Sequence, residues 1–204
     1  MAEKRIYLAS RSPRRRELLK QIGVNFELLL MREDPRRGLD VDETPHPGES
    51  PGVYALRIAS NKASFAARQI AQRALPLNPV LAADTTVVLD EQVIGKPDDA
   101  GHAAQILRSL SGREHTVITA VAVARKDQIE TQISVSTVQF RELSEAAIRR
   151  YVASGEPLGK AGAYAIQGRA AAFIIRIEGS YSGIMGLPLA ETAELLQKFD
   201  IEVL

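Results

Sequence analysis

Leu8-Ala9-Ser10-Arg11-Ser12-Pro13-Arg14-Arg15-Arg16 is the stretch on which the reading of this chain turns. The residues before it, Arg5-Ile6-Tyr7-Leu8-Ala9, read as a short strand. Those after it, Pro13 to Ile22, read as a helix that stops at Gly23. Ser12 is a good N-cap, Pro13 at the first helical position gives up an N–H that would be unpaired anyway, and Gly23 suits a left-handed turn past the helix end. The charge is at odds with this placement. Arg14, Arg15 and Arg16 fall in the first turn with Arg11 just before it, where the helix dipole is already positive and each cation costs roughly 0.3–1 kcal/mol. Free N–H groups, two serine hydroxyls and several guanidiniums at a strand–loop–helix junction form a cradle that a phosphate would stabilise.

Working outward, Val24 to Met31 reads as a buried strand, and residues 32–50 form a long loop rich in Pro, Gly and acids. Ser50-Pro51 opens a helix to about Arg73, with Val53, Leu56, Ala59/Ser60, Ala63 and Ala67 at helical spacing. Pro76 and Pro79 lead into Val80-Leu81-Ala82-Ala83-Asp84, an apolar strand ending in a carboxylate. Thr85–Asp90 and Gln92–Ile94 read as strands paired around Asp90-Glu91, followed by Gly95-Lys96-Pro97. Asp98 or Asp99 caps a helix to Leu110, closed by Ser111-Gly112. His115–Arg125 and Gln128–Phe140 alternate as a hairpin around Lys126-Asp127, and Ser144 caps a helix to Ser154. A loop over 155–162, a strand over Ala171–Ile177 and a helix over Leu187–Phe199 complete the chain. The expected fold is α/β: an elongated mixed sheet flanked by helices, one domain over residues 1–204 or two lobes around a central cleft.

Composition narrows the function classes. The chain has 204 residues, 45% apolar and 25% charged, with a net charge of +1 and 5% aromatics. It lacks the basic field and stacking platforms of a nucleic-acid binder. No cysteine is present, which excludes disulfides, thiolate chemistry and Cys-based zinc sites. No apolar run approaches the roughly 18 residues of a membrane span, and the N-terminus has no apolar signal core, so a cytoplasmic protein is expected. Locally the charge is uneven. Residues 3–20 hold seven Lys/Arg against two Glu, whereas 33–50 hold six Asp/Glu against two Arg, an arrangement suited to an anion held together with a cation.

Two familiar phosphate motifs fail. Gly155-Glu-Pro-Leu-Gly159-Lys160-Ala161 is one residue short of a Walker A loop and ends in Ala where a hydroxyl belongs. Gly179-Ser-Tyr-Ser-Gly183-Ile-Met-Gly186 does not have dinucleotide-binding spacing and reads as a turn. His46, His102 and His115 are scattered and form no metal-ligand pair. Asp84 stands out as an acid after four apolar strand residues. Left buried and unpaired it would cost several kcal/mol, so it belongs at a strand end or in a cleft, either tied to an internal partner or acting on metal or water. Lys96 in its tight turn and Lys62 in the small-residue run Ala59-Ser-Asn-Lys-Ala63 join Arg14, Arg15 and Asp84 as a candidate anion-plus-metal set.

The ordered matches Leu8-Ala-Ser-Arg-Ser-Pro-Arg-Arg15, Asp42-Glu43, Arg57…Lys62-Ala63, Ala83-Asp84-Thr85, Gly95-Lys96-Pro97 and Ser111-Gly112…His115 continue through Tyr151…Gly155-Glu-Pro, Lys160-Ala-Gly-Ala-Tyr164, Ile166-Gln167-Gly168, Gly179-Ser-Tyr181 and Gly186-Leu-Pro188. Over essentially its whole length the sequence resembles the Maf family of nucleoside-triphosphate pyrophosphatases, departing at Gly159, where relatives often carry an acid. The resemblance implies a fold related to that of inosine-triphosphate pyrophosphatases (the Maf/Ham1 type). It also implies hydrolysis of a nucleoside triphosphate to monophosphate and pyrophosphate with Mg²⁺ or Mn²⁺. By position Asp84 resembles the general base, Glu43 and Asp84 the metal ligands, and Ser10, Arg14, Arg15, Lys62 and Lys96 the phosphate-binding residues. Arg14, Thr85 and Gln167 are similar to the set found in the dTTP/UTP-hydrolysing branch, and an amide at 167 can pair with N3–H and O4 of thymine or uracil. The rival readings are a pyrophosphatase for 7-methyl-GTP or another modified nucleotide, and a nucleotide-sensing regulator of cell division. The expected partners are the nucleotide and a second copy in a homodimer, with no nucleic acid and no membrane.

Overall fold

The computed structural model describes residues 5–31 and 40–203. The part of the acidic loop over 32–39 lies outside the described residues. Among the described residues seven strands form one mixed sheet: β1 (Ile6–Leu8), β2 (Phe26–Leu28), β3 (Val80–Leu89), β4 (Gln92–Ile94), β5 (Glu114–Arg125), β6 (Gln128–Phe140) and β7 (Ile174–Glu178). Their order is β2-β1-β3-β5-β6-β7, with β4 also on β3. The helices are α1 (Pro13–Gln21), α2 (Pro51–Gln72), α3 (Ala100–Leu110), α4 (Glu145–Ala153), α5 (Tyr181–Met185) and α6 (Leu189–Gln197). Among the described residues no helix is long and apolar enough to cross a membrane.

Period-two alternation along β3 and β5 sends side chains to opposite layers. One face, with Val80, Ala82, Ala120, Ala122 and Ala124, packs against Ala55, Ala59, Ala63, Ala66, Ala67 and Ile70 of α2. The other, with Leu81, Ala83, Val121 and Val123, packs against Leu18 and Leu19 of α1 and Leu195 and Leu196 of α6. At the far end Val87, Val117, Val138 and Phe140 join α3 and α4 in a third cluster that includes Tyr151, Tyr164 and Phe173. Alanine against alanine brings α2 close to the sheet, and a larger side chain at Ala63 would cost about 1–3 kcal/mol in overpacking.

The feature that makes the site is a gap in the sheet edge. β1 runs parallel to β3 only at Val80 and Leu81. β4 pairs antiparallel with the same edge only at Val87–Leu89. Between them, around Asp84, this edge of β3 faces no described strand, although its other edge pairs with β5 from Val80 to Val88. A cleft opens there. Asp84 therefore lies in the middle of one ten-residue strand and not at the end of a short one.

Other expectations are met or corrected locally. Ser12 caps α1 through the Arg15 N–H, Asp99 caps α3, and Ser144 caps α4. Asp90 and Glu91 both take positive φ at the β3–β4 turn. The strand expected over 24–31 shrinks to three residues, because β1 offers only three to pair with. The strand expected from Ala171 begins at Ile174, since 169–173 winds as a 3-10 turn that directs Ala170 and Phe173 inward. In α2 the buried stripe runs through Ala55, Ile58, Ala59, Ala63, Ala66 and Ile70, with Val53 exposed.

Candidate active site

The cleft has a volume of about 640 Å³, and every candidate site residue lines it: Ser10, Arg14, Arg15, Glu43, Lys62, Asp84, Thr85, Lys96 and Gln167. These positions run from Ser10 to Gln167, 157 positions apart in sequence, and reach one place through the break in the β3 edge. Strand alternation divides them into two chemically different sides.

On the α2 side, Lys62 Nζ lies 2.8 Å from Glu43 Oε1 and 2.9 Å from Asp84 Oδ1. Two carboxylates thus converge on one cation. Lys62 and Asp84 are each largely buried, with side chains 13% and 14% exposed. The Thr86 hydroxyl donates to Asp84 Oδ2 at 3.5 Å. The Glu43 segment is tied to α2 by the Tyr54 hydroxyl, which donates to the Glu43 carbonyl at 3.0 Å. Burial, then the nearby Asp84 and Glu43 charges, push the Tyr54 phenol up to about 12. Nearby, Arg57 makes a two-pronged contact with Glu49, both bonds at 2.6 Å. That contact holds the Glu49 carboxyl down to about 2.

On the opposite side, Arg15 Nε donates to the Gly186 carbonyl at 2.7 Å and its guanidinium reaches Ser10 Oγ at 3.2 Å and Thr85 Oγ1 at 3.3 Å. Arg14 Nε donates to the Met185 carbonyl at 3.2 Å. The C-terminal carbonyls of α5 thus take up part of the charge crowded into the first turn of α1, a repair from within the protein that nothing near Arg14 in sequence announces. It depends on Gly186, whose φ of 119° is open to glycine and strained for other residues. Ser180 caps α5 through the Gly183 N–H, so the stretch 179–186, expected to be a turn, is a short helix. Thr85 Oγ1 also lies 3.0 Å from Thr119 Oγ1, which donates to the Gly183 carbonyl at 2.8 Å. The Thr85 hydroxyl is a strut between Arg15 and the sheet.

No described carboxylate comes within ion-pairing distance of Arg14, Lys96 or Lys160, all of which line the cleft. Burial lowers the Arg14 pKa, with Glu17 opposing. Burial and then the Arg14 charge lower that of Lys160, with Glu156 opposing. Half-buried cations that repel one another define a place for an anion. Lys160 is an addition to the candidate phosphate set. In sequence it belongs to the loop that falls short of a Walker A motif, and the strand–loop–helix context of that motif is missing here.

The sequence model for Maf-like protein matches residues 5–199. The chain belongs to the Maf family. A relative from Nitrosomonas europaea is 58% identical over 198 residues, 97% of this chain and 96% of its own, and bears the name dTTP/UTP pyrophosphatase. Another of that name from Aromatoleum aromaticum is 59% identical, covering 96% and 95%. Among solved structures, a HAM1 protein from Coxiella burnetii aligns with 68% of this chain and 73% of its own at 18% identity and a TM-score of 0.46.

The donor chemistry also bears on a metal. Glu43 and Asp84 are hard oxygen donors brought to one point, and no group of three or more His, Cys, Asp or Glu gathers among the described residues. Two carboxylates, with the remaining positions left to water and phosphate, are what Mg²⁺ or Mn²⁺ accepts. The residues fit such an ion.

Proposed function

We propose that this Maf protein hydrolyses dTTP and UTP to the monophosphate and pyrophosphate. The observation that carries this reading is the two-sided cleft: a carboxylate pair on one wall of the β3 gap, a cluster of cations on the other, and at its rim the Gln167 amide. The relatives named dTTP/UTP pyrophosphatase support the same assignment.

In this reading Arg14, Arg15, Lys96 and Lys160 take the triphosphate, with the Ser10 hydroxyl and the α1 N–H groups beside them. Asp84 accepts the proton of the attacking water, held in orientation by Lys62 on Oδ1. The water oxygen bonds to the α-phosphorus as the bond to the bridging oxygen breaks, and pyrophosphate leaves with that electron pair. Its growing charge meets the fixed cations, which need no reorganisation at that moment. Glu43 and Asp84 would hold a divalent ion, which when bound supplies Lewis-acid polarisation of phosphate and a more acidic water. No described residue hydrogen-bonds the Gln167 side chain, so its amide is available to a base edge.

The test is a panel of dTTP, UTP, CTP, dATP, GTP and 7-methyl-GTP with Mg²⁺ or Mn²⁺, quantifying monophosphate and pyrophosphate. Selective turnover of dTTP and UTP is expected. A preference for 7-methyl-GTP would keep the chemistry and overturn the specificity, and binding without pyrophosphate release would overturn both.

A further inference from the structure

Gln167 presents a problem of placement. A side chain that reads a base must be free of protein partners and yet held still, because an error of about 1 Å in a positioned group can cost a hundredfold. Gln167 is exposed and lies in a segment without regular structure. Its flanks are fixed by aromatic packing. Tyr164 and Phe173 both meet Phe140 edge-on, at 4.9 and 6.1 Å between ring centroids. Tyr164 also bonds His115 Nε2 at 2.8 Å. Between those anchors, a side chain from outside the segment grips the backbone beside Gln167.

That side chain is Glu156. Its Oε2 accepts the Arg169 backbone N–H at 3.1 Å. Its Oε1 accepts the Tyr151 hydroxyl at 3.0 Å, and the Tyr151 ring packs edge-on against Phe173 with 5.1 Å between centroids. The carboxylate therefore secures the backbone at residue 169, two residues beyond Gln167, and through Tyr151 is tied to the Phe173 anchor. Gly168 leaves the room: a Cβ there would overlap the Glu156 carboxylate, although its φ of −100° suits any residue. The backbone carbonyl of Glu156 accepts Lys160 Nζ, so the same residue also fixes a cation of the phosphate wall.

We infer that Glu156 is a positioning residue that sets nucleotide selectivity by clamping the Gln167 segment and coupling it to Lys160. The inference rests on the dTTP/UTP reading of Gln167. The clamp acts through two hydrogen bonds and not through charge. A glutamine keeps it, since its amide oxygen accepts the Arg169 N–H and its NH₂ donates to the Tyr151 oxygen.

The experiment compares Glu156→Ala, Glu156→Gln and Gly168→Ala with the wild type in two ways, alongside thermal midpoints. The first is kcat/KM for dTTP against CTP. Glu156→Ala is expected to lose about tenfold of the discrimination, mainly through a raised KM for dTTP. Gly168→Ala should reproduce that loss by displacing the carboxylate, and Glu156→Gln should restore near-wild-type selectivity. The second is amide hydrogen exchange over residues 165–170 without nucleotide, expected to rise at least about tenfold in Glu156→Ala and to stay at the wild-type rate in Glu156→Gln. Unchanged selectivity or unchanged exchange in a folded Glu156→Ala protein overturns the inference, as does an equal loss in Glu156→Gln, which would assign the effect to charge. A wild type that favours another nucleotide overturns the dTTP/UTP reading alone. The exchange measurement still decides the clamp, and selectivity is then scored on the nucleotide preferred.

Discussion

Asp84 and Thr85 are neighbours in one strand, yet they serve opposite walls of the cleft. Asp84 points to the α2 side, where Lys62 stands between two carboxylates at 2.8 and 2.9 Å. Thr85 points to the α1–α5 side, where Arg15 is held by neutral oxygens and Arg14, Lys96 and Lys160 have no described carboxylate at ion-pairing distance. One wall is neutralised from within, and on the other Arg14, Lys96 and Lys160 meet no described carboxylate at ion-pairing distance. A pleated strand with a period of two can separate an acid wall from a cationic wall by one residue, which brings a water-activating group and a charge-binding group together without letting them cancel.

The largest effect should come from breaking the acid wall at its centre. Asp84→Asn keeps shape and most hydrogen bonding but loses the charge and the basic oxygen. Pyrophosphate release at saturating substrate should fall at least about a hundredfold, roughly 3 kcal/mol, with the circular dichroism spectrum unchanged. Near-wild-type turnover in a folded variant would remove Asp84 from its role.

Lys62→Met should separate the walls in stability. It leaves Glu43 and the largely buried Asp84 beside each other with their shared cation gone. Denaturant unfolding should report a loss of about 2–3 kcal/mol, because stranding a partly buried charge costs more than the pair contributes. A stability equal to the wild type would mean that solvent, and not Lys62, balances those carboxylates.

Much of this was legible in the chain, for local reasons. Ser12, Pro13 and Gly23 bound α1, Asp99 and Ser144 cap the next helices, and alternation marks β5 and β6, because capping and pleat act over a few residues. Asp84, Lys62 and Lys96 were visible as charges in apolar or tightly turned surroundings. The links that required the fold were long-range. Arg14 and Arg15 find carbonyls 171 residues away, and a carbonyl leaves no trace in residue identity. The short β2 and β7 have their lengths set by their partners. In α2 the buried stripe is mostly alanine, whose weak hydrophobic signal lets Val53 and Leu56 draw the face toward themselves.

Acid should loosen one side of the molecule before the other. His115, 3% exposed, supports the Tyr164 anchor of the Gln167 segment, and burial pushes its pKa down to about 4 from 6.5. The unfolded chain therefore takes up this proton first as pH falls. The contribution is full above about pH 6.5 and is lost as pH drops toward 4, amounting to about 2 kcal/mol between pH 7 and pH 5. Glu49, held at about 2 by Arg57, keeps its contribution over that range and loses it only as pH falls from 4.5 toward 2. Unfolding titrations of the wild type and His115→Gln should show the slope between pH 7 and 5 in the first and its loss in the second. A wild-type slope that persists in His115→Gln would place the responsible proton elsewhere.

The smallest change tests the cationic wall, and its value lies in what stays constant. Arg14 is half-buried, close to Lys160 and without a carboxylate partner among the described residues, so its charge adds repulsion to the folded state in the absence of an anion. Arg14→Gln removes that repulsion along with the bond to the Met185 carbonyl, and the two losses act in opposite directions. The melting temperature should stay within a few degrees of the wild type while KM for the triphosphate rises about tenfold, equivalent to about 1.4 kcal/mol of binding. Inorganic pyrophosphate should stabilise the wild type more than the variant, because an anion bound only to the folded state adds its binding energy to stability. If Arg14→Gln instead melts as early as Lys62→Met with KM unchanged, Arg14 is a structural link between α1 and α5, and the contrast between a neutralised wall and a charged one fails on the side where it was drawn most sharply.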